Sequence, residues 1–235
     1  MEALAECLWP PTCAQCGCRI DKTERFAALC PRCSLKIPWR LPHEQFLPLL
    51  TVQAASALPE EARELLEGQT CFVACHYAPD LARMLRQLKF NEKEAWGLLL
   101  GEWLAYAAAR QAGFREGLWQ VLAVPLSPQR QKERGYNQSH FLAQTLGLKL
   151  GIKCNEQVLY RTQDTERQTE TKASSRRQTL LDAFAADPSA CLGQRFLLVD
   201  DVLSSGMTLA AATLALIQAG AAQVQALALA SGRKQ

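Results

Sequence analysis

Several features whose presence would assign a class at once are missing from this chain of 235 residues. Its first residues, MEALAECLWPPTC, hold acidic side chains and an early Trp-Pro-Pro where a secretory signal has a basic start and an apolar centre, so no export signal is expected. No long apolar run goes uninterrupted. The best membrane candidate, residues 207–230, is Ala-rich and broken by Gln218, Gly220, Gln223 and Gln225, so it reads as a helix, a tight turn and a strand. Neither G-x-G-x-x-G nor G-x-x-x-x-G-K-[ST] occurs, which removes the Rossmann and P-loop readings. No large excess of either charge is present, since 26 Lys and Arg stand against 23 Asp and Glu, and a net charge of +3 does not by itself imply a nucleic-acid partner. What remains is a chain with 49% hydrophobic residues, enough for one α/β core and a small extra module. The expected compartment is the cytoplasm, where ten cysteines read as thiols and metal ligands, not disulfides.

The most informative stretch present is residues 195–208, RFLLVDDVLSSGMT. The apolar run Phe196-Leu197-Leu198-Val199 ends in two carboxylates, passes a hydroxyl-rich turn with a glycine, and opens into an apolar segment at Met207. That order predicts a strand, a loop and a helix start. At the C-terminal edge of a parallel sheet it sets Asp200 and Asp201 beside a helix N-terminus whose free N–H groups suit a phosphate. Carboxylates suit hydroxyls and amides suit phosphate, so the expected ligand carries a sugar diol close to a phosphate, as ribose 5-phosphate does. Gly206 lets the main chain approach closely, and Ser204, Ser205 and Thr208 add hydroxyl donors. The plainer alternative is a buried strand whose acidic end caps a helix.

Cysteine spacing is the second signal. Cys13-Ala-Gln-Cys16 and Cys30-Pro-Arg-Cys33 are two C-x-x-C knuckles with thirteen residues between them, a spacing that brings Cys13, Cys16, Cys30 and Cys33 around one tetrahedral Zn²⁺. Residues 10–40 are polar, so a structural zinc would supply much of the folding free energy there. A redox C-x-x-C needs a preceding strand and a following helix, which this pattern lacks. Cys18 can exchange into the site, and Cys7 is either a bystander or its partner. Further on, alternation puts Cys71, Val73 and Cys75 on one strand face and His76 on the other, which favours buried thiols over a second metal site.

Between these signals, residues 41–69 hold several prolines and then a Glu-rich stretch, predicting a linker followed by a short helix. Leu81, Met84, Leu85 and Leu88 follow helical spacing, with Arg83, Arg86, Lys89 and Lys93 on the opposite side as a solvated face or a polyanion contact. Residues 97–112 predict a second apolar helix in which Trp103, Leu104 and Ala107 belong to the core. Residues 121–126, VLAVPL, predict another buried strand, followed by a basic loop with Arg130, Arg134 and Gly135. Guanidinium forks and backbone amides in such a loop suit a pyrophosphate, and a solvated loop is the alternative. Residues 161–177 are polar throughout and predict a mobile loop.

The 195–208 stretch resembles the phosphoribosyl-pyrophosphate (PRPP) motif of type I phosphoribosyltransferases, with Ser204-Ser205 in place of the usual threonine pair. Across nearly the whole chain, an ordered set resembles the ComF family, including its GntX-related branch. The set comprises the four-cysteine ribbon, Tyr77, Leu88-Lys89-Phe90, Arg134-Gly135-Tyr136-Asn137-Gln138, Gln168-Thr169, Arg176, Ala183-Phe184 and the PRPP motif. The chain departs from the family pattern at Thr171, Thr179 and Asp182. The resemblance implies an α/β, type I phosphoribosyltransferase-like domain with a mainly parallel sheet over residues 70–235. A zinc ribbon at 1–40 and a linker with a short helix at 41–69 would precede it.

It also implies that Asp200 and Asp201 hold the ribose hydroxyls or metal-bound water and that residues 204–208 hold the 5-phosphate. Arg130 and Arg134 would face the leaving diphosphate with Mg²⁺, and residues 161–177 would close over the sugar. The function implied is a PRPP-binding accessory role in uptake or use of external DNA. Weak, salt-sensitive contact with single-stranded DNA and with uptake-machinery proteins would accompany it. The alternative is a salvage phosphoribosyltransferase that acts on an unidentified base, with the ribbon and the helices before Val121 in the place of the base-recognising hood.

Overall fold

Four stretches apolar enough to be buried on both faces become the parallel strands of one sheet, as such runs do when helices cover them from either side. In the computed structural model these are β2 (Thr70–His76), β3 (Trp119–Ala123), β6 (Arg195–Leu203) and β7 (Gln223–Ser231). A short β1 (Phe46–Pro48) runs antiparallel along β2, the order across the sheet is β1-β2-β7-β6-β3, and β4 (Leu159–Arg161) and β5 (Phe184–Ala186) form a separate antiparallel pair. Residues 71–75, 196–199 and 227–230 are buried without a break. The structure describes residues 12–20, 29–90, 93–114, 118–162 and 181–233. The readings for Cys7 and for most of the polar loop, including Gln168, Thr169 and Arg176, lie outside those residues, as do the side chains of Lys89, Lys93 and Arg134.

The chain divides into two compact units, Met1–Trp39 and Arg40–Gln235. The first unit contains α1 (Pro31–Ser34), and the helices of the second begin with α2 (Val52–Ala55), α3 (Glu60–Leu66), α4 (Pro79–Phe90) and α5 (Lys93–Ala108). Then come α6 (Pro128–Arg134), α7 (Gln138–Leu150), α8 (Pro188–Cys191) and α9 (Met207–Gln218). Phe196 and Leu198 share a core with α3 and α9. Alternation along the strand leaves Leu197 and Val199, equally buried, for the layer of α7, which packs on β3 and β6. Fully burying each such side chain contributes roughly 1.5–3 kcal/mol.

Within the helical layer, α5 and α7 approach closely because Gly97 and Gly101 lack side chains. A Cβ at Gly101 would lie 2.5 Å from the Thr145 Cβ, and one at Gly97 would lie 2.6 Å from the Phe141 Cβ. Leu81, Met84, Leu85 and Leu88 are buried on α4 while Arg83 and Arg86 are exposed, as the helical spacing requires. Trp103, Leu104 and Ala107 are core residues of α5, and Cys71 and Cys75 are buried thiols whose ionisation is pushed up by burial. Residues 207–230 form a helix, a turn and a strand, and no helix among the described residues is long and apolar enough to cross a membrane.

Three local expectations change. Strand β6 does not end at the carboxylates but runs on to Leu203, because β7 extends to Ser231 and offers ladder partners: Asp200 pairs with Ala228 and Leu203 with Ser231. Strand β3 stops at Ala123, short of Pro125, which has no N–H for a ladder. The basic segment after it is a helix, not a loop. The Ser127 hydroxyl accepts from the Arg130 N–H at 3.3 Å, Pro128 takes the first helical position, and Gly135, at φ 72°, ends the helix.

Candidate functional site

In a parallel sheet, the loops after the strands gather at the C-terminal edge, where ligands of α/β folds bind. Here that edge collects the ends of β2, β3, β6 and β7. Asp200 and Asp201 occupy the last part of β6, both half-buried. The Asp200 carboxylate accepts from the Ser139 hydroxyl and from the Asp201 N–H, each at 2.9 Å, which fixes its orientation. Ser139 stands in the first turn of α7. Asn137, the N-cap of that helix, accepts from the Ser139 N–H at 3.1 Å and donates to the Val124 carbonyl at 2.9 Å. The chain after β3 is therefore tied to the carboxylate end of β6. Nothing in the spacing of Ser139 and Asp200, sixty-one residues apart, announces that pairing.

The turn after β6 is Ser204-Ser205-Gly206, with both serines exposed. Gly206 is the N-cap of α9 at φ 88°, a conformation that glycine adopts at no steric cost. The Ser205 hydroxyl accepts from the Met207 N–H at 3.4 Å, and Thr208 lies half-buried in the first helical turn. The first N–H groups of a helix have no intrahelical acceptor, so this end of α9 presents donors and the positive end of the helix dipole to an anion. Arg130 lies half-buried on α6, and Gly135 is exposed beyond it. Since α6 follows β3, the strand next to β6, the basic helix and the carboxylates share one sheet edge. A cavity of about 390 Å³ opens beside that helix, lined in part by Pro125, Tyr136, Asn137, His140 and Glu156. Asp200, Asp201 and residues 204–208 do not line it.

The first unit carries the other site. Cys13 donates its N–H to the Cys18 carbonyl at 2.7 Å and Gly17 returns one to Cys13 at 2.8 Å, closing the first knuckle. In the second, the N–H groups of Cys33 and Ser34 turn back on the Cys30 carbonyl at 3.0 and 2.9 Å. The sulfurs of Cys13, Cys16, Cys30 and Cys33 all lie within 4.8 Å of one another, with Cys16 and Cys30 at 3.9 Å. A tetrahedral Zn–S₄ centre with bonds of about 2.3 Å sets its sulfurs about 3.8 Å apart, so the group fits a metal ion such as zinc. Cys18 stays outside the group and exposed.

Burial raises the Cys13 thiol, but backbone N–H groups of Cys30, Cys16 and Gln15 outweigh it and bring it down to about 6. Hydrogen bonding to Cys16 and Cys30 pushes Cys18 up to about 12, and burial lifts Cys33 above its ordinary value. Thiolates crowded this closely ionise together only when a cation balances them. Among the described residues this is the one such cluster of metal-ligating groups.

Comparison with known proteins places the chain among relatives. Residues 133–235 match the family model described as a phosphoribosyl transferase domain. The chain is 31% identical over 159 residues to the DNA utilization protein YhgH of Escherichia coli strain K12, covering 67% of this chain and 70% of that protein. It is 32% identical over 160 residues to Competence protein F of Haemophilus influenzae, covering 66% and 69%. It is also 32% identical over 104 residues to Competence protein ComFC of Bacillus subtilis strain 168, covering 43% and 40%. With its α/β phosphoribosyltransferase-type domain and its N-terminal cysteine cluster, the chain belongs to the ComF family, alongside the YhgH proteins.

Proposed function

We propose that this protein is a PRPP-binding accessory factor in the uptake or use of external DNA. The observation that carries the reading is the strand–turn–helix of residues 195–208, with its oriented Asp200, lying in the matched phosphoribosyl transferase region of a chain whose relatives are named for DNA utilisation and competence. Asp200 and Asp201 would meet the ribose hydroxyls, directly or through water on Mg²⁺. The 204–208 turn, with Ser204, Ser205, Gly206 and Thr208, would take the 5-phosphate, and Arg130, Arg134 and Gly135 the diphosphate. Bound Mg²⁺ supplies charge neutralisation for the diphosphate. Zn²⁺ on Cys13, Cys16, Cys30 and Cys33 would be structural. The proposed compartment is the cytoplasm, where such thiols stay reduced. The proposed macromolecular partners are single-stranded DNA, bound weakly and salt-sensitively, and proteins of the uptake machinery.

The test is to incubate the purified protein with PRPP, Mg²⁺ and a panel of bases while following pyrophosphate release. Saturable PRPP binding without base-dependent turnover is the expected result. Base-dependent turnover would instead support a salvage phosphoribosyltransferase, and absence of PRPP binding would overturn both readings.

A further inference from the structure

The phosphate turn has an unusual support behind it. Gly206 lies so close to the chain after β1 that a Cβ on it would sit 1.8 Å from the Leu49 carbonyl oxygen. The Thr51 N–H donates to the Ser205 carbonyl at 3.2 Å, joining the two segments again. Three carbonyl oxygens therefore converge in this place, those of Pro48, Leu49 and Ser204, and each carries partial negative charge. Left alone, they would repel an anion held by the turn. One guanidinium answers all three. Arg233 donates from Nη1 to the Pro48 oxygen at 2.7 Å, from both terminal nitrogens to the Leu49 oxygen at 3.3 Å, and from Nε to the Ser204 oxygen.

Arg233 is itself held. Its N–H donates to the Ser231 hydroxyl at 3.1 Å, and the Ser231 hydroxyl donates to the Leu203 carbonyl at 2.8 Å, just before the turn. Its carbonyl accepts from Arg40, which is 3% exposed and also donates to the Ser231 carbonyl at 3.3 Å and the Glu44 carbonyl at 3.2 Å. Two arginines in series thus run from the start of the α/β unit through the end of β7 to the back of the phosphate turn. The planar fork of Arg233 matches several acceptors in one plane, which a lysine ammonium cannot do.

We propose that Arg233 is a positioning residue of the 5-phosphate site. It neutralises the carbonyl oxygens behind residues 204–206, holds the turn in the shape that offers its N–H groups to a phosphate monoester, and places a positive charge next to that monoester. The proposal rests on the PRPP reading above.

Arg233→Gln and Arg233→Lys are compared with the unaltered protein by calorimetry, using Mg²⁺-PRPP, ribose 5-phosphate and Mg²⁺-pyrophosphate as probes. Arg233→Gln should lose about tenfold or more in affinity for PRPP and for ribose 5-phosphate while pyrophosphate stays within about twofold, and Arg233→Lys should fall between. Equal loss for all three probes would assign Arg233 a merely structural role and overturn the proposal, as would unchanged affinity for ribose 5-phosphate. If Arg233→Gln does not fold, Arg233→Lys alone decides by the same ratio of affinities. An unaltered protein that binds none of the probes overturns the PRPP reading itself, an outcome distinct from a change confined to the variants.

Discussion

The two units of this chain bury different kinds of side chain among their described residues. Among the described residues of Met1–Trp39, the buried aliphatic side chains are Ile20, Leu29 and Ile37, beside the buried Cys13, Cys30 and Cys33. Three thiols thus sit buried beside as many aliphatics, the arrangement of a small module in which a cation bound by the cysteines would supply much of the folding free energy. In Arg40–Gln235, Cys71 to Cys75, Phe196 to Val199 and Leu227 to Ala230 are buried along three adjacent strands, and helices cover them. A small module with clustered thiols would fold on a cation, while a doubly covered parallel sheet folds on area removed from water.

The largest effect that separates the two is metal removal. Protein purified without chelator should hold about one Zn²⁺ per chain, and Cys13→Ser with Cys30→Ser should abolish it. Structural zinc contributes on the order of 10–16 kcal/mol to folding a small module. Amides of the ribbon should then lose hydrogen-exchange protection while those of β6 and β7 keep theirs. Simultaneous loss in both units would break the contrast.

Phe196→Ala is the converse experiment. Phe196 is 0% exposed on the interior strand β6, and truncation should cost about 3–5 kcal/mol in unfolding of the α/β unit, read by denaturant titration, with zinc content unchanged. A fall in bound zinc would show the units to be energetically one. Next in size, Asp200→Asn with Asp201→Asn should weaken Mg²⁺-PRPP binding by about tenfold or more while leaving zinc content and the unfolding midpoint nearly unaltered. Unchanged affinity by calorimetry would remove these carboxylates from the ligand site. Ser139→Ala deletes the hydroxyl that orients Asp200 and should cost about 0.5–1.5 kcal/mol of that same affinity. The smallest effect concerns DNA. Arg86→Glu with Lys93→Glu should lower weak single-stranded DNA binding by roughly two- to fivefold at low salt and flatten its salt dependence. If the ribbon variant alone abolishes that binding, the nucleic-acid contact belongs to the first unit.

Much of the α/β unit was legible in the sequence because its signals are local. Apolar runs became β6 and β7, helical spacing became α4, and the glycine after the hydroxyl pair became the turn before α9. The misreadings have identifiable causes. Residues 128–134, PQRQKER, carry no apolar periodicity, yet form α6. The Ser127-Pro128 pair was the available signal, a side-chain cap followed by proline at the first helical position. Residues 46–48 are a strand only because β2 offers them an edge to pair with, a fact that no window around Phe46 contains.

By itself the sequence determined which segments were apolar enough to become strands, where the thiols were spaced for one metal ion, and which turn could face a phosphate. Each of these follows from residues within one turn or one strand of each other. Tertiary structure decided that Ser139 orients Asp200, that β6 extends past its carboxylates, and that Arg40, 193 residues from Arg233, holds the arginine that bonds the turn after β6. The reason is physical. Hydrogen bonds between distant residues depend on which strands lie side by side, and the order β2-β7-β6-β3 arises from packing whole faces against helices, not from any local preference of the chain.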